Sequence, residues 1–568
     1  MFNSKKQQLF SIGENKKQTS AFINAEMKKS AETLSGNGAL KYSSSGDEFV
    51  DQFSAASRYL APRPYDEIAK DMSILWAIDP ELTIKFTIYL RMITRKTQTF
   101  EGNITEEVQK GQGLRHESIF RMIWIYNKDR NAFWMNINLF ISAGSWHDII
   151  YMLQTDLIYH GWDDKTLPWD LFGQLILAGL ENPNTSQLIK KYLPQIKAKS
   201  KCTTVESQAD TMIAKWLCSI LFGQKTPTQN HYKQYRLLKS SGTAHSWQQL
   251  ISKGKMLEID FDTIHGKALT QLVSSKFLKK HGLEKKYEEW ILSKPVAKFT
   301  GYVHELAKKI SYRTANYLVH TINAQYNQLL SLAKVNTANS PFRPICAVDT
   351  SASMGSKMYI GDGKVGDMTS IEVAMSNMIL MDDMMADGFF KGHYLEFSCD
   401  TKMIKLKGNT FAEKYIRINK CSNGNTNFNS VFSFFVKIKK NNNIPEEQFP
   451  NMIVCFSDGE FNDVGNEITN IEAGRKTLRA GGFSDEFVDN FGFCFVDLPN
   501  TFYSIRPRQK FETFGNCKNC FYFSGYDLAP LGFLFGFSKI SNNSNTPRTA
   551  KELFEAAMDQ EILNKVKI

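Results

Sequence analysis

Along residues 48–333, apolar residues recur every three or four positions, the spacing that places them on one face of a helix. In KALTQLVSSKFLKKHG one such series, closed by Gly282, comprises Ala268, Leu269, Leu272, Val273 and Phe277. Similar stretches recur in ELTIKFTIYLRMITRK, HESIFRMIWIYNK and SWHDIIYMLQTDLIYHG, without one strict repeat period. The pattern predicts an all-α module of stacked, antiparallel helix pairs.

The pattern changes after residues 334–344, KVNTANSPFRP, which we interpret as a polar linker. Short apolar runs such as PICAVD, HYLEFS, NMIVCFSDG and NFGFCFVDL then alternate with longer amphipathic segments such as IEVAMSNMILMDDMM and FNSVFSFFVKIKK. This alternation is typical of an α/β domain with a mainly parallel sheet. We therefore expect a multidomain protein, α followed by α/β, with the second domain over residues 345–540.

The two ends of the chain differ from both domains. Residues 1–47 are rich in Lys, Ser, Asn and Gly, which predicts a flexible arm or a partly ordered strap. Residues 541–568 begin with an Asn- and Ser-rich stretch and continue as TAKELFEAAMDQEILNKV. That segment predicts a final helix with Thr549 as its N-cap.

Composition supports the division and restricts the class of protein. All nine tryptophans lie between Trp76 and Trp290, which predicts a different core for each domain. No apolar run approaches the roughly 18 residues that span a bilayer, and the first residues are polar. We expect a cytoplasmic protein without a membrane segment. The nine cysteines do not form a disulfide framework, and the single CxxC, Cys517 and Cys520, is either ordinary thiols at a loop-to-strand junction or half of a zinc site.

Charge is distributed unevenly. The net charge is +11, and residues 201–340 alone carry 20 basic against 9 acidic residues. Residues 341–568 carry 25 basic against 27 acidic residues. The basic excess predicts a polyanion partner for the helical half, with solvation of long helices as the alternative.

Oxygen-bearing side chains follow the apolar runs of the second domain. In VDTSAS, Asp349, Ser351 and Ser353 are spaced by two, so an extended strand end would point them the same way. Thr426 lies in the loop SNGNTNF, and Asp458 follows the strand NMIVCF. Two carboxylates and three hydroxyls form a hard-oxygen set that suits Mg²⁺ or Mn²⁺ better than Zn²⁺.

Signatures of enzymes are not met around these loops. A phosphoaspartyl hydrolase would have an acid two residues after Asp349, where the chain has Ser351. A P-loop would have Ser or Thr after Lys364, where the chain has Val365. His393 alone lies within about 30 residues of any of the three loops, and a general base of the usual kind is not apparent. The chain is therefore expected not to be an enzyme.

These loops resemble the metal-ion-dependent adhesion site of von Willebrand factor A (vWA) domains. The resemblance implies a Rossmann-like fold in which the serines of DxSxS and the loop threonine contact the cation, the aspartates often act through water, and a partner carboxylate completes the shell. One departure is Ala352, where the family usually has Gly. Another is the long insertion MGSKMYIGDGKVGDMTS, which we expect to be a surface hairpin, with a gate over the site as the alternative.

The helical half resembles the TROVE-domain proteins of the Ro autoantigen family, though more weakly. The stretches GLRHESIFRMIWI, SAGSWHDIIYML and YRLLKSSGTAHSWQQLISKGKMLEIDF carry this resemblance. It implies a HEAT-like repeat module that binds structured or misfolded RNA, largely through phosphate contacts. The candidate RNA-binding residues are Arg236, Lys253, Lys255, Lys279 and Lys280. For Trp146 and Trp247 we expect core packing, and Arg115 and Arg236 are either RNA contacts or members of buried ion pairs.

Together these observations predict a non-enzymatic RNA-binding protein that resembles the Ro ribonucleoproteins. Its helical module would hold the RNA and its vWA-type domain a divalent cation. The alternative is a protein-interaction scaffold, viral or assembly-related, whose metal captures an acidic side chain of a partner.

Overall fold

The structure of the chain is a computed structural model. The residues that it describes are 21–35, 37–55, 63–92, 95–98, 106–109, 111–163, 165–198, 200, 202–242, 247–264, 266–274, 276–299, 301–333, 342–361, 364–385, 390–465, 468–498, 511–524 and 549–568.

The first part of the chain is predominantly helical. Its α-helices are α1 (Ala21–Ala31), α2 (Glu48–Ala55), α3 (Tyr65–Ile78), α4 (Pro80–Arg91), α5 (Arg115–Lys128), α6 (Arg130–Ala143), α7 (His147–His160), α8 (Trp169–Glu181), α9 (Pro183–Tyr192), α10 (Val205–Leu221), α11 (Gln229–Ser241), α12 (Trp247–Ser252), α13 (Gly266–Ser274), α14 (Phe277–Lys280), α15 (Glu284–Leu292), α16 (Val303–Ala307) and α17 (Asn316–Ala333). Single 3₁₀ turns cover Met256–Glu258 and Phe261–Thr263. The expectation of a helical module is confirmed at this level.

Local sequence explains where several of these helices begin. Asp79 accepts a hydrogen bond from the Leu82 amide at 2.9 Å and so caps α4, and Asp129 caps α6 in the same way. Both aspartates also end the helix before them, so consecutive helices are joined by one residue. Such short connections make neighbours in sequence neighbours in space. Among the described helices, none is long and apolar enough to cross a membrane.

Two helical predictions need correction. The stretch ELTIKFTIYLRMITRK does not continue as a helix, because α4 ends at Arg91 and a hairpin of β3 (Arg95–Gln98) and β4 (Glu106–Gln109) follows. The last carbonyls of α4 instead accept hydrogen bonds from the returning chain, with Leu114 N at 2.7 Å from the Leu90 oxygen. The series that ends at Gly282 forms two helices, α13 and α14, rather than one.

The second part of the chain contains a six-stranded sheet among the described residues. Its strands are β5 (Pro344–Asp349), β8 (His393–Phe397), β9 (Thr401–Lys405), β10 (Met452–Ser457), β11 (Gly492–Asp497) and β12 (Cys520–Ser524). The order across the sheet is β12-β11-β10-β5-β8-β9, and only β9 runs antiparallel to its neighbour. The predicted α/β domain with a mainly parallel sheet is confirmed.

Helices connect these strands, and a hairpin follows the first of them. The helices are α18 (Ser370–Met384), α19 (Phe411–Arg417), α20 (Asn429–Asn442), α21 (Asn470–Ala480) and α22 (Asp485–Asn490). Strands β6 (Lys357–Gly361) and β7 (Lys364–Thr369) pair antiparallel. The insertion after Ser353 is therefore a hairpin, and the side chain of its Asp367 forms an exposed ion pair with Lys308 of the helical part.

The hydrophobic core does not divide between the two parts as the tryptophans predict. One buried cluster extends from Phe49 and Ile68 through the helices to Val348 and Val454 on one face of the sheet. A second cluster, which includes Ile345 and Ile453, covers the opposite face. Residues on the two faces alternate along each strand, so the sheet itself separates the cores.

Both ends of the chain pack onto the rest of the molecule. α23 (Ala550–Met558) is the predicted C-terminal helix, and Thr549 caps it through the Glu552 amide at 3.2 Å. Its Phe554 ring lies 5.4 Å from that of Phe49. At the other end, α1 and the antiparallel strands β1 (Glu32–Leu34) and β2 (Leu40–Tyr42) lie within residues 1–47, for which the sequence predicts a flexible arm or a partly ordered strap. Residues 1–20 and most of the expected linker, 334–341, lie outside the described residues.

Candidate metal site

The candidate site lies at the carboxyl edge of the sheet, between β5 and β10. Numbered in chain order within this domain, the strands of the sheet are arranged 3-2-1-4-5-6, so the direction of winding reverses between β5 and β10. Doubly wound sheets bind ligands at such a point, because the loops after the two strands turn away from each other and leave a crevice. Asp349 is the last residue of β5, and Asp458 directly follows β10.

The first loop is held by hydrogen bonds to Asp349. Its Oδ1 accepts from the Ser351 amide at 2.8 Å, and its Oδ2 accepts from the Ser457 hydroxyl at 2.6 Å. Ser353 lies in a 3₁₀ turn, Ala352–Gly355, rather than on an extended strand end. The Ser351 and Ser353 Oγ atoms are nevertheless 3.2 Å apart. The two hydroxyls converge as predicted, but a 3₁₀ turn rather than an extended strand brings them together.

The loop that carries Thr426 is joined to the loops on either side of it. The Asn423 amide donates to the Thr350 carbonyl at 2.7 Å, and the Ala352 amide donates to the Gly424 carbonyl at 3.2 Å. On the other side, the Asn462 amide donates to the Thr426 carbonyl at 3.0 Å. These bonds bring all three predicted loops together at one edge of the sheet.

The five predicted side chains are buried. Asp349 is 0% exposed and Asp458 is 9% exposed, with the hydroxyl residues between these values. Burial, and next the negative charge of Asp458, raise the pKa of Asp349 to about 7, against the hydrogen bonds from Ser457 and Ser351. Two neighbouring buried carboxylates repel each other, and a bound cation would relieve that repulsion.

The donor set fits a small hard cation. It comprises hydroxyl oxygens of Ser351, Ser353 and Thr426 and carboxylate oxygens of Asp349 and Asp458. Among the residues that the structure describes, no group of three or more His, Cys, Asp and Glu side chains is arranged to hold a metal, so hydroxyls would have to supply part of the shell here. Oxygen donors of this kind suit Mg²⁺ or Mn²⁺.

The alanine at position 352 does not obstruct this set. The Ala352 side chain is exposed, so its methyl group does not fill the space between the serines.

The one histidine considered as a general base lies far from the site. His393 begins β8, four residues before Phe397, which pairs with Asp349. At about 3.3 Å per residue, His393 lies roughly 13 Å from the carboxyl edge of the sheet.

The sequence did not indicate the residues that bind the backbone of the third loop, which follows β10. We call residues 35 and 37–42, which include β2 and the described residues between β1 and β2, the strap. The Ser35 hydroxyl donates to the Phe461 carbonyl at 2.8 Å, and the Asn37 side-chain amide donates to the Glu460 carbonyl at 2.5 Å. Lys41 donates through Nζ to the Gly459 carbonyl, next to Asp458. The strap thus contacts the backbone of the loop that follows β10.

Lys41 is buried together with an opposite charge. Its Nζ lies 2.9 Å from Glu512 Oε1, and both side chains are 2% exposed. Burial alone would lower the pKa of Lys41, but the carboxylates of Glu512, Glu460 and Asp497 outweigh it and raise that pKa. The one sequence signal for this pair is a lysine between the apolar residues of ALKY, which gives no indication of its partner.

The five candidate RNA-binding residues are all exposed and lie on three separate segments of the helical part. Arg236 is on α11, Lys253 and Lys255 follow α12, and Lys279 and Lys280 end α14. Lys255 is paired with Glu258 at 2.8 Å. Exposure excludes a buried ion pair for Arg236.

The motif SAGSWHD has a structural role. Asp148 is 0% exposed and pairs with Arg91 at 2.7 Å and with Arg115 at 3.0 Å. At Gly144 an added Cβ would lie 2.3 Å from Asp148 Oδ2, so the backbone approaches the ion pair too closely for any other residue. The partly buried Trp146 packs against the hydrophobic core, as expected.

One family model matches part of the chain. It is described as a domain of unknown function (DUF7788) and covers residues 344–530, which include all five candidate metal ligands. No curated protein and no solved structure matches the chain.

Proposed function

We propose that this chain is a non-enzymatic binding protein with two parts, a vWA-type domain that holds Mg²⁺ or Mn²⁺ and a HEAT-like helical module that holds RNA. The observation that carries the proposal is the convergence of Asp349, Ser351, Ser353, Thr426 and Asp458 at the switch point of the sheet. When bound, the cation would supply a fixed positive charge that attracts an acidic group of a partner. The resemblance to Ro-like proteins and to vWA domains supports this combination.

The role of the protein residues follows from their contacts. Ser457 and the Ser351 amide orient both oxygens of Asp349, and the strap fixes the backbone beside Asp458. The distance of His393 from the carboxyl edge favours binding over acid–base chemistry. We propose the cytoplasm as the location, because all nine cysteines are free thiols.

RNA binding by the helical module is supported by the exposure of its five candidate residues. We expect the full chain to retain RNA at low salt and to release it as salt rises, because each phosphate contact contributes about 0.7 to 0.9 to the slope of log affinity against log salt. The test variant replaces with Gln the residues Arg236, Lys253, Lys255, Lys279 and Lys280. It should bind RNA more weakly and with a shallower slope.

The matched control removes the same charge from the other domain. It replaces with Gln the exposed residues Lys402, Lys405, Lys407, Lys437 and Lys440. Equal loss of RNA affinity in both variants would contradict a site on the helical module and would leave only nonspecific attraction.

A protein-interaction scaffold is the second candidate function. The small number of charged ligands favours this function. A cation held by three hydroxyls and two carboxylates still attracts the carboxylate of a partner. The protein should be recovered from cells and tested for co-purifying RNA at low salt and again at raised salt. Absence of RNA at low salt, together with loss of a protein partner in Asp349→Ala, would favour the scaffold over RNA binding.

A further inference from the structure

Cys517 and Cys520 lie side by side in a turn that is firmly anchored. Their Sγ atoms are 3.4 Å apart, and Cys520 is the first residue of β12. Asn519 between them has a left-handed backbone, with φ of 60°, and is fully buried. Its carbonyl accepts from the Phe493 amide at 2.8 Å, and its side-chain amide donates to the Asn490 carbonyl at 2.9 Å. The turn therefore holds the two sulfurs in contact before any bond forms.

The two thiols differ in access and in acidity. Cys517 is half-buried, whereas Cys520 is 1% exposed. The hydrogen bond between the two sulfurs, together with the nearby guanidinium of Arg475, lowers the pKa of Cys517 to about 6, although burial opposes the shift. The same hydrogen bond, and burial, raise the pKa of Cys520. A reachable thiolate beside a protected thiol is the arrangement of an attacking and a resolving cysteine.

We propose that Cys517 and Cys520 form a redox-active dithiol that is oxidised to an intramolecular disulfide by the disulfide of a low-molecular-weight thiol. The Cys517 thiolate attacks one sulfur of that disulfide, the sulfur–sulfur bond breaks, and one thiolate leaves. Cys520 then loses its proton to solvent and attacks Cys517 Sγ, which releases the second thiolate. The two leaving groups take up the two protons, so one protein dithiol and one small disulfide give one protein disulfide and two small thiols.

The geometry requires little movement for this step. A disulfide has a sulfur–sulfur distance of about 2.05 Å, so the two Sγ atoms must approach by roughly 1.4 Å. A side-chain rotation within the turn can supply that movement. Among the described residues, no further His, Cys, Asp or Glu joins the pair in a group able to hold a metal.

The test uses the full-length protein in buffers with graded ratios of reduced to oxidised glutathione. After free thiols are alkylated, peptides are analysed by mass spectrometry. Under oxidising ratios the peptide that contains Cys517 and Cys520 should carry no alkyl group and should weigh two hydrogens less than the unmodified dithiol peptide. Under reducing ratios it should carry two alkyl groups. The exposed Cys399 and Cys421 should instead carry glutathione.

Two single variants assign the roles. In Cys520→Ser the attacking thiolate remains without its partner, so a mixed disulfide with glutathione should accumulate on Cys517. In Cys517→Ser the buried Cys520 should stay unmodified. The wild-type chain gives the same information without substitution, because brief alkylation near neutral pH should label Cys517 well before Cys520.

Three results would overturn the assignment. The first is a dithiol that stays reduced at every glutathione ratio while Cys399 and Cys421 react. The second is equal modification of the remaining cysteine in the two variants. The third is protection of both thiols by added Zn²⁺ with no disulfide at any ratio, which would assign the pair to a metal.

Discussion

Removal of the buried charge on the strap should loosen the third loop of the candidate metal site. In Lys41→Met the apolar stem is kept, but Glu512 remains buried at 2% exposure without its partner at 2.9 Å. Breaking a buried pair from one side costs about 3–5 kcal/mol, because the remaining charge is uncompensated. The hydrogen bond to the Gly459 carbonyl is lost as well. We expect the free energy of local opening to fall by that amount.

Hydrogen exchange measures this loss directly. Amide protection in peptides over residues 458–463 should fall by roughly two to three and a half orders of magnitude, at about 1.4 kcal/mol per factor of ten. Lys402→Met, at an exposed position of β9, should leave the same peptides unchanged. Lys41→Met with Glu512→Met should recover much of the protection, because no lone charge is left. A loss below ten-fold, or no recovery in the double variant, would refute the reasoning.

Two further predictions concern the helical part. Gly144→Ala places a methyl group against the ion pair of Asp148 and should lower the free energy of unfolding, measured by urea denaturation, by about 3 kcal/mol. The control Ser142→Ala, at an exposed position, should change it by less than about 0.5 kcal/mol. Equal effects of the two variants would contradict the packing argument. Burial, with the charges of Lys267 and Lys308, lowers the pKa of His304 to about 3. The unfolded chain therefore binds a proton below pH about 6.5 that the folded chain does not, so stability should fall by about 2 kcal/mol between pH 7 and 5 from this residue alone. His304→Gln should remove that part of the pH dependence, and an unchanged dependence would contradict it.

The sheet and two of the three loops of the candidate site are predictable because the two aspartates come at the ends of apolar runs, whereas Thr426 is marked only by the Gly- and Asn-rich loop around it. Asp349 is the last residue of β5 and Asp458 directly follows β10; both strands are buried on both faces, and parallel strands bring their carboxyl ends to one edge. The same reasoning gives the hairpin after Ser353 and the cap at Thr549, since glycines and a threonine punctuate those stretches. Local sequence signals therefore predict most of the helices and strands.

Other features depend on partners that are distant in sequence. Lys41 is buried because Glu512 meets it, and neither residue identifies the other from its neighbours. The hairpin after α4 arises because Leu114 and the residues before it bind the last carbonyls of that helix. The interpretation of residues 268–281 as one helix was wrong for a similar reason. The apolar periodicity continues from α13 into α14, although the helix is interrupted between Ser274 and Phe277.

The most direct test of the central claim is a calorimetric titration of Mn²⁺ and Mg²⁺ into the full chain, at a pH above the raised pKa of Asp349. The proposal predicts one saturable site per chain. Thr426→Ala should weaken it at least about ten-fold, since even the residues that orient metal ligands contribute that much. Thr401→Ala, which removes a hydroxyl bonded to Ser430 outside the site, should leave it unchanged. Absence of binding to the wild-type chain, or equal affinity in Thr426→Ala, would contradict the proposed cation site.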